Sequence, residues 1–157
     1  MRKFLFIFLF IPILALCDLE IQLVDEYFLP YQYSPSNYNN SSMNYANSSI
    51  NYANSSTNYA NSETNYKNSS TNYQNSIRGN HRLVYDNSFA GYYVENGSGL
   101  INFFSANGKR MFYMPKGTVA VFDSDVGKFS GVVAQGDYGR YYLFLTEYGF
   151  NVLSQKQ

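Results

Sequence analysis

The chain predicts an all-β protein: a small antiparallel barrel or sandwich at the C-terminus, preceded by a disordered low-complexity segment of heptapeptide repeats. Three observations carry this. From Arg82 onward, short β-branched and aromatic runs are cut at regular spacing by Gly, Asn and Asp. No helical apolar periodicity of useful length interrupts them. Residues 37–77 repeat an N-Y-x-N-S-x-x unit six times and contain only two charges, Glu63 and Lys67.

Residues 1–17 read as a signal peptide. Arg2 and Lys3 precede an apolar run from Phe4 to Leu16, and Ala15 and Cys17 stand at −3 and −1 before Asp18. The run is too short to span a bilayer comfortably, and Pro12 interrupts it. Leu14-Ala15-Leu16-Cys17 also resembles a bacterial lipoprotein cleavage box, which implies acylation of Cys17; Leu16 departs from the small residue that pattern wants. The expected destination is therefore outside the cytoplasm: secreted, periplasmic or on the cell surface. Contact with a membrane is expected only through the leader or a lipid on Cys17. With one cysteine, no intramolecular disulfide supports the fold.

Residues 18–36 form a short acidic and aromatic segment. Leu19, Ile21 and Leu23 alternate with Glu20 and Gln22, the pattern of one strand. Tyr27 to Pro35 reads as extended.

The repeat, residues 37–77, is not a coiled coil. That structure needs two apolar positions per heptad, and each unit offers one tyrosine. Asn, Ser and Thr are poor helix formers because their side chains compete for backbone hydrogen bonds. An odd period throws successive tyrosines onto opposite faces of a strand. The segment buries too little apolar area by itself to offset an ordering entropy of roughly 1–2 kcal/mol per residue. The expectation is a spacer with ends on the order of 35 Å apart. Two sharper readings give the repeat a role: weak multivalent contact through Tyr38, Tyr45, Tyr52, Tyr59, Tyr66 and Tyr73, or stacking of the Asn-rich copies into cross-β assemblies. Glycan acceptor motifs stand at Asn39, Asn40, Asn47, Asn54, Asn68 and Asn96, and in a eukaryotic secretory pathway glycans on several would stiffen the segment.

Residues 78–157 are the β domain. Strands are expected at Arg82–Tyr85, Gly91–Glu95, Leu100–Ser105, Arg110–Met114, Thr118–Phe122, Lys128–Ala134 and Tyr141–Thr146, with a weak one at Phe150–Leu153. Asn96-Gly97 and Asn107-Gly108 signal tight turns. Core candidates are Leu100, Phe103, Met111, Tyr113, Val119, Val121, Val132, Tyr142, Phe144 and Val152. Some strands are apolar on both faces, which implies a further packing partner such as the 19–24 segment or another chain.

The chemistry is sparse. The one histidine, His81, sits at the repeat boundary and reads as an exposed linker residue; no nucleophile motif and no zinc ligand set accompanies it. Asp123-Ser124-Asp125-Val126-Gly127 has the look of a calcium-loop fragment, but no acidic residue closes the loop, so a β-turn is expected. Asp86, Glu95, Asp123, Asp125, Asp137 and Glu147 are the raw material for a small hydrolase, with nothing to pair them. No phosphate-binding glycine loop is present. Residues 78–157 carry eight bases and six acids, far from the footprint of a nucleic-acid binder.

The strongest binding signal is aromatic. Tyr92, Tyr93, Tyr138, Arg140 and Tyr141 are the candidate ligand-binding surface, because tyrosine joins apolar area to a polar tip. The expectation is thus an exported, non-enzymatic interaction protein with a protein or glycan partner. No catalytic residue, metal or cofactor is assigned. A self-associating structural protein is the alternative.

Overall fold

Eight strands close into a barrel in the order of the sequence. They are β1 (Asp18–Leu23), β2 (Arg82–Tyr85), β3 (Ser88–Glu95), β4 (Ile101–Ser105), β5 (Arg110–Met114), β6 (Ala120–Asp123), β7 (Phe129–Gln135) and β8 (Tyr141–Leu145), followed by the helix α1 (Glu147–Lys156). The computed structural model describes residues 18–157; the expected signal peptide of residues 1–17, with Cys17, lies outside the described residues.

β2 to β8 form an antiparallel meander. Seven such strands leave the first and last running the same way. The strand that closes the gap between them is β1, parallel to both β2 and β8. The 18–36 segment is therefore not an appendage: Leu19 and Ile21 face the barrel interior, 1% and 3% exposed. The unit that folds includes β1, so the β domain does not begin at residue 78.

The interior is a packed aromatic and aliphatic core. It contains Leu83, Tyr93, Ile101, Phe103, Phe112, Val121, Leu143 and Leu145. An eight-stranded barrel has an interior just wide enough for side chains to fill. Val152 and Leu153 of α1 join the same cluster. The weak strand expected at 150–153 is thus corrected to helix. Thr146 caps it by accepting from the Gly149 amide, and acidic Glu147 opens it while Lys156 ends it. Gly149 masks the signal, yet only glycine fits: a Cβ there would lie 2.3 Å from the Ser130 carbonyl oxygen.

Bulges interrupt the register at Leu83/Val84, Phe103/Phe104 and Val121/Phe122. Phe103 points inward and Phe104 outward. The two-residue turn with both φ positive is Asp86-Asn87, joining paired Tyr85 and Ser88. At Asn96-Gly97 and Asn107-Gly108 only the glycine is left-handed, so these are longer loops than the I′ turns expected. Of the expected core, Phe103, Met111, Val121 and Val152 are interior. Leu100, Tyr113 and Val132 are buried on the outer wall. Tyr142 and Phe144 are half-buried, and Val119 is 36% exposed.

The repeat corrects the largest expectation. It is not a disordered spacer but an ordered belt of turns across the outside of the barrel. The segment before it, read as extended, forms two 3₁₀ turns, Glu26–Phe28 and Tyr31–Tyr33. Contacts then advance strand by strand the long way round. Leu29 and Tyr33 pack on the outer cluster that includes Phe144. Asn40 reaches Thr118, ahead of β6; Asn47 and Asn54 reach β5; Asn61 reaches β4; Asn68 reaches β3.

Three polar positions of the unit, the two Asn and the Ser at position five, hold its turns. The first Asn accepts from the amide two residues on, as Asn44 does from Ala46 at 3.0 Å. The Ser at position five does the same, as Ser55 does from Thr57 at 3.1 Å. The second Asn is buried in all six copies. Its amide donates back to two carbonyls of the preceding copy: Asn54 to Ala46 and Ser48, at 2.8 and 2.9 Å. These are the local side-chain-to-backbone bonds that make Asn and Ser poor in helices and strands. Repeated in phase, they build a chain of turns. The same phase runs one unit further back. Ser34 accepts from Ser36, Asn40 donates to Gln32 and Ser34, and Tyr31 stands seven residues before Tyr38. Tyr33 there replaces the buried Asn, so its ring rather than an amide meets the wall.

Candidate functional site

The belt divides into a face spent on the barrel and a face turned to solvent. On the inner face, one outward-pointing barrel side chain meets each of five successive copies. Thr118 donates to the Asn40 Oδ1 at 2.9 Å, Tyr113 to the Asn47 carbonyl at 2.7 Å, and Arg110 Nη2 to the Asn54 carbonyl at 2.8 Å. Asn102 donates to the Asn61 Oδ1 at 3.0 Å and Tyr92 to the Asn68 carbonyl at 2.6 Å. Beneath them lie Tyr92 stacked on Phe104, with ring centroids 5.3 Å apart, and Tyr113 on Phe122 at 5.7 Å. The belt therefore covers an apolar outer wall while its carbonyls are satisfied by a few polar side chains set into that wall.

Arg110 is the centre of this face and is 3% exposed. Its Nε donates to Asn102 Oδ1 at 2.8 Å, and its backbone amide donates to Glu63 Oε1. Its ring neighbour is Tyr113, 5.2 Å from the guanidinium carbon to the centroid. Burial lowers its pKa to about 10. The same burial raises the hydroxyls of Tyr92 and Tyr113 well above the ordinary tyrosine value. Unfolded tyrosine ionises near pH 10. The stabilisation these neutral hydroxyls supply is thus full below pH ~10 and is lost as pH rises toward their folded values. Tyr113→Phe should cost about 1 kcal/mol at pH 7. Its deficit relative to wild type should shrink steadily above pH ~10, read from urea melts across the pH range.

Asn61 is the most heavily used residue of the belt. It donates to Ala53 and Ser55 and accepts from Asn96 and Asn102. Asn61→Ala should cost about 3 kcal/mol, because Asn102 would be left buried without its acceptor. That corresponds to a fall in Tm of roughly 6–12 °C for a chain of this size. Tyr59→Ala, two residues away on the solvent face, should move Tm by no more than about 2 °C.

The outer face carries the tyrosines. Tyr38, Tyr45, Tyr52, Tyr59, Tyr66 and Tyr73 are 63–66% exposed, and Tyr31 is 68% exposed. Among the described residues, none of these seven rings stacks on another ring and none of the hydroxyls has a hydrogen-bond partner. Tyr27 and Phe28 continue the exposed aromatic surface, in edge contact at 5.4 Å. Glu63 turns to the rim, 3.6 Å from Lys109, so Lys67 is the one charge of the repeat facing outward.

The five residues expected to bind ligand are not assembled into one surface. Tyr92 and Tyr93 are each 1% exposed and lie on opposite sides of the wall, Tyr92 under the belt and Tyr93 in the core. Adjacent residues of a strand point to opposite faces, and here both faces are covered. Tyr138, Arg140 and Tyr141 lie together at the β7–β8 connection, where Tyr138 is fully exposed with φ of 58°. His81 is half-buried rather than exposed, its ring 4.9 Å from that of Tyr93, and burial lowers its pKa.

Three of the six carboxylates considered for hydrolysis, Asp123, Asp125 and Glu95, hold structure. Asp123 accepts from the Tyr148 hydroxyl at 2.6 Å and from the Asp125 amide at 2.7 Å, closing the expected turn. Asp125 pairs with Lys156 at 2.9 Å, and Glu95 accepts from the Gly97 and Gly99 amides. Among the described residues, no three His, Cys, Asp or Glu side chains gather as a metal site. The cleft between belt and rim, about 290 Å³, is lined by Ser56, Ser62, Glu63, Thr64, Arg110, Ser124 and Asp125. Of the glycan acceptor positions, Asn40, Asn47, Asn54 and Asn68 are buried with their amides bonded inside the belt, so a glycan there would unseat it rather than stiffen it.

No protein-family model, no curated protein and no solved structure matches this chain.

Proposed function

We propose that this is an exported, non-catalytic interaction protein whose contact surface is the outward face of the repeat belt. One observation carries the reading: the tyrosines of six successive copies share nearly the same exposure, while the inward face of five of those copies is bonded to a barrel side chain. Tyrosine offers large contact area, a polar tip and few rotors to freeze, the properties enriched at recognition surfaces. Holding many of them on one ordered support removes part of the entropy that a flexible segment would lose on binding. Export rests on the leader sequence of residues 1–17.

Repeat-driven cross-β assembly is the weaker reading. Stacking needs free backbone groups, and five of the six copies have committed carbonyls to the Asn side chain of the next copy, three of them to the barrel as well.

The test replaces Tyr45, Tyr52, Tyr59 and Tyr66 with Ser in one chain. Each is nearly two-thirds exposed, so Tm should move little. Immobilised wild type should retain material from cell-envelope and extracellular-matrix extracts, and the variant should retain at least about tenfold less. Equal retention by the two would remove the belt from the function.

A further inference from the structure

We infer that the ligand of the belt is an uncharged linear polysaccharide, lying along the tyrosine row. This rests on the reading of the belt as the contact surface and names what it contacts.

The surface of a folded partner does not repeat, so it would engage a few tyrosines and leave the others without purpose. Here the row offers Tyr38, Tyr45, Tyr52, Tyr59, Tyr66 and Tyr73 at 63–66% exposure, and Tyr31 continues it at 68%. Equivalent subsites in succession along the belt suit a ligand that itself repeats, because each added unit meets another copy of the same site.

Charge narrows the class. The outward face of the repeat presents Lys67 alone, with Glu63 held at the rim by Lys109 and the Arg110 amide. An anionic polymer such as a nucleic acid or a sulfated glycan needs a basic stripe, which is absent from residues 37–77. An uncharged polymer needs none.

The side-chain palette narrows it further. The rings are free of stacking partners and the hydroxyls are uncommitted among the described residues. Exposed Ser, Thr and Asn residues lie between them along the chain: Asn39, Ser42, Thr57 and Thr71. A sugar ring presents an apolar C–H face and a rim of hydroxyls. An aromatic ring receives the first, and amides and hydroxyls receive the second.

The belt also suits a second copy of this chain, since two identical near-neutral rows would not repel. That partner has no need of free hydroxyls on every ring, and it becomes an outcome of the test.

The experiment uses the full secreted chain, wild type and the Tyr45/Tyr52/Tyr59/Tyr66→Ser variant. Probes are hydroxyethylcellulose, a β-1,3-glucan and a galactomannan, with hyaluronan as the anionic comparison. Binding is read by retardation in polysaccharide-containing native gels and by calorimetry, each with a short oligosaccharide and the long polymer of the same linkage. Sedimentation velocity reports self-association. The expected result is retention by at least one neutral polymer, tightening by about 100-fold from short oligomer to long chain. It should be lost in the variant and little changed by salt. Retention by hyaluronan alone, weakening with salt, would overturn the uncharged class. A concentration-dependent dimer abolished by the Tyr→Ser changes, with no polysaccharide bound, would overturn the glycan while keeping the belt as the contact face. Wild type and variant behaving alike in every assay would overturn both.

Discussion

Deleting one heptad, residues 51–57, should destabilise the protein by at least about 3–5 kcal/mol. The estimate follows from what the unit holds. It removes the Asn54 carbonyl that Arg110 Nη2 donates to and the Asn54 amide that donates to Ala46 and Ser48. The flanking copies must then span Tyr113 to Asn102 with one unit fewer, so they cannot both stay in register with their anchors. A net hydrogen bond contributes about 1 kcal/mol, one to a charged group about 1.5–3, and an orphaned buried partner costs more. If residues 24–81 were a tether, the same deletion would change its closure entropy by on the order of 0.1 kcal/mol. The two descriptions thus differ by more than tenfold in energy. Duplicating the same unit should be milder, because a surplus copy can loop out at one junction while the others keep their anchors. Urea melts of the deletion, the duplication and wild type decide it. A deletion variant whose midpoint matches wild type would show that the belt contributes no stability. Copy number is therefore set by the distance round the barrel, despite the near identity of the copies.

The second large effect concerns β1. A fragment of residues 78–157 keeps every antiparallel pair but loses the strand that closes the ring. It exposes the facing edges of β2 and β8, which would become templates for aggregation. It also removes Leu19 and Ile21 from the interior. In the intact chain, Leu19→Ala with Ile21→Ala should cost roughly 4–8 kcal/mol, about half of the 5–15 typical of a domain. The fragment should show no cooperative melt and should bind a hydrophobic dye. A peptide of residues 18–77, carrying both β1 and the belt that covers the outer wall, added in trans should restore structure. A sharp, reversible transition in the fragment alone would mean that β2 and β8 can pair directly and that β1 is dispensable.

Most strands are legible in the residues themselves. Arg82–Tyr85 and Arg110–Met114 match their observed bounds, and the others differ by a few residues at their ends. Alternation in 19–23 shows a strand, but nothing local states that it is parallel and sits sixty residues from its neighbour. The excess of apolar residues on both faces of β4 and β8 is also legible, and it does point to something packed outside. The repeat, the segment that looks least able to pack, covers β4 at Asn61, and Leu29 and Tyr33 just before it pack on the outer cluster with Phe144 of β8.

That is the physical limit of the reading. The sequence by itself determined the class of the fold, the strands and turns, the period of the repeat and the competition of its Asn and Ser side chains for backbone hydrogen bonds. Those properties are local, written in side-chain shape and spacing. Tertiary structure alone decided that the competition yields order. Each unit bonds its own turn, but a chain of such turns buries too little apolar area to persist in water. It persists here because the barrel presents Thr118, Tyr113, Arg110, Asn102 and Tyr92 on an apolar wall, one anchor to a copy. The same wall decided that Tyr92 is buried and that Tyr38 to Tyr73 are not, which residue type cannot distinguish.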